Sequence, residues 1–108
     1  MEYEVKITNQ ATAQIYEIIS YISHVLLEPE TAKRWSSLLQ EKISELNTMP
    51  SRFPLIIDEP WRTKGIRKMV IKNFIVYFFI KESDSTVWIT AVLYGKRDQL
   101  SALRDLKI

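Results

Sequence analysis

Residues 74–80, Phe-Ile-Val-Tyr-Phe-Phe-Ile, form an unbroken apolar run dominated by aromatic and β-branched side chains. The run is strand-length rather than helix-length, and it lacks the polar alternation of a strand with one wet face. It therefore reads as a central strand covered on both faces, extending over Phe74–Lys81. Its neighbours follow from the flanks. Ile66–Ile71 precedes it across Lys72-Asn73, and Thr86–Tyr94 follows it across Glu82–Ser85, which predicts a three-stranded antiparallel meander.

The first half of the chain has a different period. Glu2 to Ile7 alternates, with Tyr3, Val5 and Ile7 on one side and Glu2, Glu4 and Lys6 on the other, as in a half-buried strand. Thr8 or Asn9 then offers a helix N-cap. Ile15, Ile18, Ile19, Ile22, Val25 and Leu26 describe one helical stripe, which Glu28-Pro29-Glu30 breaks. Ala32, Trp35, Leu38, Leu39, Ile43 and Leu46 trace a second, ending near Met49-Pro50. Two helices joined by a short break read as an antiparallel hairpin. Residues 50–63 hold three of the four prolines and predict an ordered loop without regular structure. Gly95 closes the last strand, and a tail through Lys96, Arg97 and Asp98 leads to a short helical turn near Leu106. The expected order is β-α-α-β-β-β, a helical hairpin packed on an antiparallel sheet in one α+β domain over residues 1–108.

Composition narrows the chemistry. There is no cysteine, which removes disulfides, thiolate nucleophiles and cysteine-based zinc sites, and the only histidine is His24. A catalytic triad or a multi-histidine metal site would have to be built around that single residue, so neither is expected, nor any metal or cofactor. No window approaches ~18 uncharged apolar residues, and no membrane association is expected. The acidic start, Met1-Glu-Tyr-Glu, lacks the order of a secretion signal, so the expected location is cytoplasmic. The net charge of +2 hides a division: residues 1–61 carry five basic and nine acidic side chains, residues 62–108 ten and four. A basic C-terminal half suits an anionic partner, nucleic acid or an acidic protein segment.

The stretch Gly65-Ile-Arg-Lys-Met-Val-Ile-Lys-Asn-Phe-Ile-Val-Tyr77, followed by Val92-Leu-Tyr-Gly-Lys-Arg-Asp98, resembles the RelE/ParE superfamily of bacterial toxins. A lysine-rich strand, a turn, a Tyr-Arg-Val-Tyr strand, an acidic turn and a strand ending Gly-Arg/Lys-Arg-Asp/Glu form that family's recurring C-terminal signature. The helical hairpin and the Arg-Phe-Pro segment at 52–54 also look like members of it. The resemblance implies the toxin of a type II toxin–antitoxin, or plasmid stabilisation, module. Such a toxin inhibits growth and is wrapped and silenced by a cognate antitoxin, whose own DNA-binding domain is the module's link to operator DNA.

Two activities occur in that superfamily. ParE-like members poison DNA gyrase by binding it and need no catalytic constellation. RelE-like members cleave messenger RNA in the ribosome, with cations neutralising the phosphate and other groups moving protons. On the nuclease pattern the resemblance assigns catalysis to Arg97, Lys68 and Arg67. Two other positions depart from it. Ile75, or Phe74 in a shifted alignment, stands where the strand arginine belongs, and Leu103 stands where a tyrosine is expected. The variant that uses histidine is also unavailable, because the C-terminal half contains none. The preferred reading is gyrase poisoning, with ribosome-dependent mRNA cleavage as the alternative. Lys64, Arg67, Lys68, Lys72, Lys96 and Arg97 are the candidates for target or antitoxin contact.

Plainer roles stand beside these. Arg97 and Asp98 suit a surface ion pair. Alternation puts Arg67 with Met69 on one face and Lys68 with Val70 on the other, so part of the basic stretch serves to solvate a sheet edge. Trp61 suits a loop anchor, Trp35 and Trp88 suit the core, and Asp58-Glu59 is too isolated for a metal. A third reading, a plain nucleic-acid-binding module, asks for basic residues interleaved with aromatics on one sheet face. Tyr77 and Phe79 sit instead in a run that reads as interior.

Overall fold

The structure, a computed structural model, describes residues 2–94. The meander is present as expected: β2 (Arg67–Ile71), β3 (Phe74–Lys81) and β4 (Thr86–Tyr94) pair antiparallel in sequence order. β1 (Glu4–Ile7) adds to the far side of β4, so the order across the sheet is β1-β4-β3-β2. That last pairing is parallel, with Glu4 opposite Thr86 and Ile7 opposite Ile89, and it makes the sheet mixed. A parallel neighbour needs a long crossover, which the helical hairpin of α1 (Asn9–Ser20) and α2 (Pro29–Ser44) supplies.

β3 alternates between two apolar environments. Phe74, Val76, Phe78 and Ile80 face the helices and join Ile18, Ile22, Trp35, Leu39 and Ile43 in the principal core. Ile75, Tyr77 and Phe79 face the other way, onto a smaller cluster of Ile56, Ile66, Ala91 and Leu93. The helices cover one face of the sheet, and the loop before β2 covers part of the other. This is why the run shows no polar alternation. Trp61 packs on the second cluster, the anchoring role expected of it. Trp35 is buried, whereas Trp88 is only half-buried, with the Lys6 Nζ 5.6 Å from the centroid of its ring.

Thr8 caps α1 as expected, its Oγ1 accepting from the Ala11 amide at 3.1 Å. The first stripe then ends early. Residues Tyr21–Val25 form a π turn, with the Leu26 amide bonded to the Tyr21 carbonyl at 3.0 Å. An i→i+5 turn holds one residue more than an α turn and rotates everything beyond it. Ile22 stays buried, but Val25 is 65% exposed and Leu26 41%, so neither belongs to the core face the periodicity assigns them. Leu27 follows with φ +56 and reverses the chain into Pro29, the first residue of α2. The second stripe holds: Ala32, Trp35, Leu39, Ile43 and Leu46 are buried and Leu38 packs against them.

Opposite Tyr77 and Phe78, β4 carries one extra residue. Tyr77 pairs with Ala91 and Phe78 with Ile89, which leaves Thr90 as a bulge. The backbone groups there find partners on α1 and its cap. Thr8 Oγ1 donates to the Thr90 carbonyl at 3.4 Å, and the Val92 amide donates to Gln14 Oε1 at 2.8 Å. Thr90 Oγ1 itself donates across to the Tyr77 carbonyl at 3.2 Å. A buried bulge is tolerable only when its freed polar groups are paired in this way.

Candidate functional site

Of the six cationic candidates, Lys96 and Arg97 lie outside the described residues. Lys64, Arg67, Lys68 and Lys72 lie within them. β2 distributes the middle pair as alternation requires: Met69 is buried under the helices and Val70 is 62% exposed, so Arg67 and Lys68 project from opposite faces.

Arg67 has a defined task in the fold. Its Nη1 donates to the Phe53 carbonyl at 2.6 Å and the Ser51 carbonyl at 3.3 Å, tying the 50–55 loop to the start of β2. Two other arginines do the same for neighbouring backbone. Arg62 Nη1 reaches the Ile56 carbonyl at 3.3 Å. Arg52 donates to the carbonyls of Thr48, Met49 and Glu45 and lies over the Phe53 ring, 4.6 Å from its centroid. A loop without ladder partners leaves its carbonyls unsatisfied, and the guanidinium fork suits them. Arg52 was not among the sequence candidates, although it opens the Arg-Phe-Pro segment noted there.

The lysines are arranged differently. Lys64 is exposed in the turn that Gly65, at φ +84, closes before β2. Lys68 is half-buried on the outer face and pairs in register with Tyr77. Lys72 is exposed at the β2–β3 turn with φ +49. Among the described residues none of the three makes a salt bridge. Lys68 and Lys72 are four strand residues apart, about 13 Å, so they do not converge on one phosphate.

Of the residues that the nuclease resemblance assigns, Lys68 lies on the outer face and Arg67 on the other. Two residues are set by the resemblance against the strand arginine: Ile75 packs against the second apolar cluster with Trp61 and Phe79, and Phe74 is buried in the principal core. Tyr77 is buried in the second cluster, and its hydroxyl is pushed above the ordinary phenol value, first by burial and then by the charge of Asp58. It is therefore protonated at neutral pH and unsuited to accept a proton. His24, exposed on the π turn, belongs to the helical layer on the opposite side of the sheet. Among the described residues no group of three or more His, Cys, Asp or Glu is placed to hold a metal ion, and no helix is long and apolar enough to cross a membrane. The described surface can present charge and shape to a partner.

Residues 5–99 match the family described as the ParE toxin of the type II toxin–antitoxin system parDE. No curated protein matches the sequence. Among solved structures, a chromosomal ParDE toxin–antitoxin system from P. aeruginosa superposes with a TM-score of 0.71 at 20% identity, covering 88% of this chain and 98% of that one. The RelBE2 toxin–antitoxin complex of Mycobacterium tuberculosis superposes with a TM-score of 0.62 at 17% identity, covering 87% and 99%. Both share the fold with this chain.

Proposed function

The chain belongs to the ParE toxin family of type II toxin–antitoxin systems, and from that premise we propose that it arrests growth by binding and poisoning DNA gyrase, held silent by a cognate antitoxin. The observation that carries the choice of target is Ile75. Where mRNA cleavage would place a cation to stabilise the phosphorane, this chain sets an isoleucine into an apolar cluster beside a protonated, buried tyrosine. A binding toxin asks only for a stable scaffold that displays cations and apolar groups, and Lys64, Lys68 and Lys72 are available on it. The antitoxin partner is supported by the two structural neighbours, both of which are toxin–antitoxin systems.

The deciding experiment adds purified toxin to a gyrase supercoiling reaction and, separately, to a gyrase-free translation reaction with transcript ends mapped by primer extension. The expected outcome is arrested supercoiling with intact transcripts. Ribosome-dependent cuts within codons, with supercoiling untouched, would replace this reading by mRNA cleavage. Arg97→Ala is expected to lower toxicity by about tenfold or more while the far-ultraviolet spectrum and melting temperature stay unchanged; a folded variant that still arrests growth fully removes Arg97 from the contact surface.

A further inference from the structure

A cleft of about 300 Å³ opens between the first turns of α2 and the β2–β3 turn. Its floor is aromatic. Trp35 meets Phe74 edge to face with centroids 5.0 Å apart, and Tyr94 at 6.3 Å and 89°. Leu38 extends the apolar floor, and Arg34 and Lys72 stand at its margin. Arg34 donates to Thr31 Oγ1 at 3.1 Å, but among the described residues neither cation has a carboxylate partner. The two come from elements far apart in sequence and reach the same cleft only in the folded chain.

We propose that this cleft is a docking site for an acidic polypeptide segment that lays a bulky apolar side chain on the Trp35–Phe74–Tyr94 floor and a neighbouring carboxylate between Arg34 and Lys72. The volume lies at the bottom of the ~300–1,000 Å³ range of ligand sites, which suits one or two side chains rather than a cofactor. An apolar floor with paired cations at its margin selects an apolar residue beside an acid, since the carboxylate gains charge-assisted hydrogen bonds while the apolar group leaves water. Trp35 is 8% exposed and Phe74 1%, so the cleft offers no open aromatic face of the kind on which a nucleobase stacks, which favours a peptide side chain over nucleic acid. The inference is independent of the gyrase reading and holds for a toxin with either target.

The test titrates the full-length chain, labelled with nitrogen-15, with N-acetyl-Phe-Glu-amide, following the indole N–H signals of its three tryptophans; Trp35→Phe assigns the relevant one. The Trp35 signal is expected to move saturably, and the Phe-Gln and Phe-Lys analogues to bind at least about tenfold more weakly. Arg34→Glu and Lys72→Glu are each expected to weaken the Phe-Glu peptide by about tenfold, and Lys33→Glu, the same charge change on an exposed neighbour outside the cleft, by less than about twofold. No movement of the Trp35 signal, equal response to Phe-Lys, or a larger response to uridine monophosphate overturns the proposal. So do contacts from the Leu103 or Leu106 methyl groups to the Trp35 ring, which would make the chain's own terminus the occupant. Concentration-dependent shifts without peptide would give the cleft to a second copy and overturn it too.

Discussion

Charge at a residue and availability of that residue are separate properties in this chain, and the arginines show it. Arg52, Arg62 and Arg67 look like parts of one basic surface until their guanidinium groups are located on loop carbonyls. The sequence does place Arg67 and Lys68 on opposite faces, because strand alternation alone decides that. It cannot name the carbonyls of residues 51 and 53 as partners, since a carbonyl has no sequence signature and these lie across a loop. Arg67→Ala is expected to cost about 1 kcal/mol in denaturant unfolding, chiefly from the half-buried Phe53 carbonyl left unpaired, while Lys68→Ala stays within about 0.5 kcal/mol. Equal losses would mean that Arg67 contributes charge only. Tyr77 makes a second residue-scale prediction. Its pKa is raised in the folded chain, so above about pH 10 the unfolded state has lost a proton the native state still holds. Stability therefore falls as pH rises through that value. Tyr77→Phe is expected to flatten the alkaline limb of a melting-temperature profile; an unchanged limb would assign the loss to other tyrosines.

The helices, strands and turns were largely readable from period and punctuation, and the failures have local causes. The stripe of α1 is legible through Ile22 and misleads at Val25 and Leu26, because hydrophobic periodicity assumes 3.6 residues per turn and says nothing of an i→i+5 bond. The apolar run of β3 announced two covered faces, but not that β1 would join β4 in parallel, since pairing direction depends on where the crossover returns. The Thr90 bulge was also invisible, being a mismatch between two strands rather than a property of one. Its support is testable. Gln14 accepts from the Val92 amide just beyond the end of β1, so Gln14→Leu is expected to destabilise by about 1–3 kcal/mol and to raise exchange at that amide. A neutral substitution would show that water serves the amide equally well.

Across the whole molecule, the division of charge along the sequence becomes a division between connecting segments and strands rather than between layers. The acidic first half builds β1, both helices and most of the loop, and the basic second half builds the meander. The two helices carry three acidic and three basic side chains and are balanced; the acidic excess lies at Glu2, Glu28, Glu45, Asp58 and Glu59, outside them, while the only charged residues within β2 and β3 are the cations Arg67, Lys68 and Lys81. The candidate site was legible to this extent: the sequence located the basic elements, while the cleft at Arg34 and Lys72 needed the fold to bring two distant segments together. Topology makes a kinetic prediction as well. β1 pairs only with β4, across the longest separation in the sheet, and closing so long a loop costs entropy before any contact offsets it. In pulse-labelled refolding, amides bridging β1 and β4 are expected to be protected after those of β2–β3; simultaneous protection would indicate a nucleus that includes both ends. For a chain emerging from a ribosome the same pairing sets a clock. Residues 86–89 must be synthesised before β1 has a strand to join, so the growing polypeptide carries β1 unpaired through the synthesis of both helices and the first two strands of the meander, and the native sheet closes only once β4 has emerged.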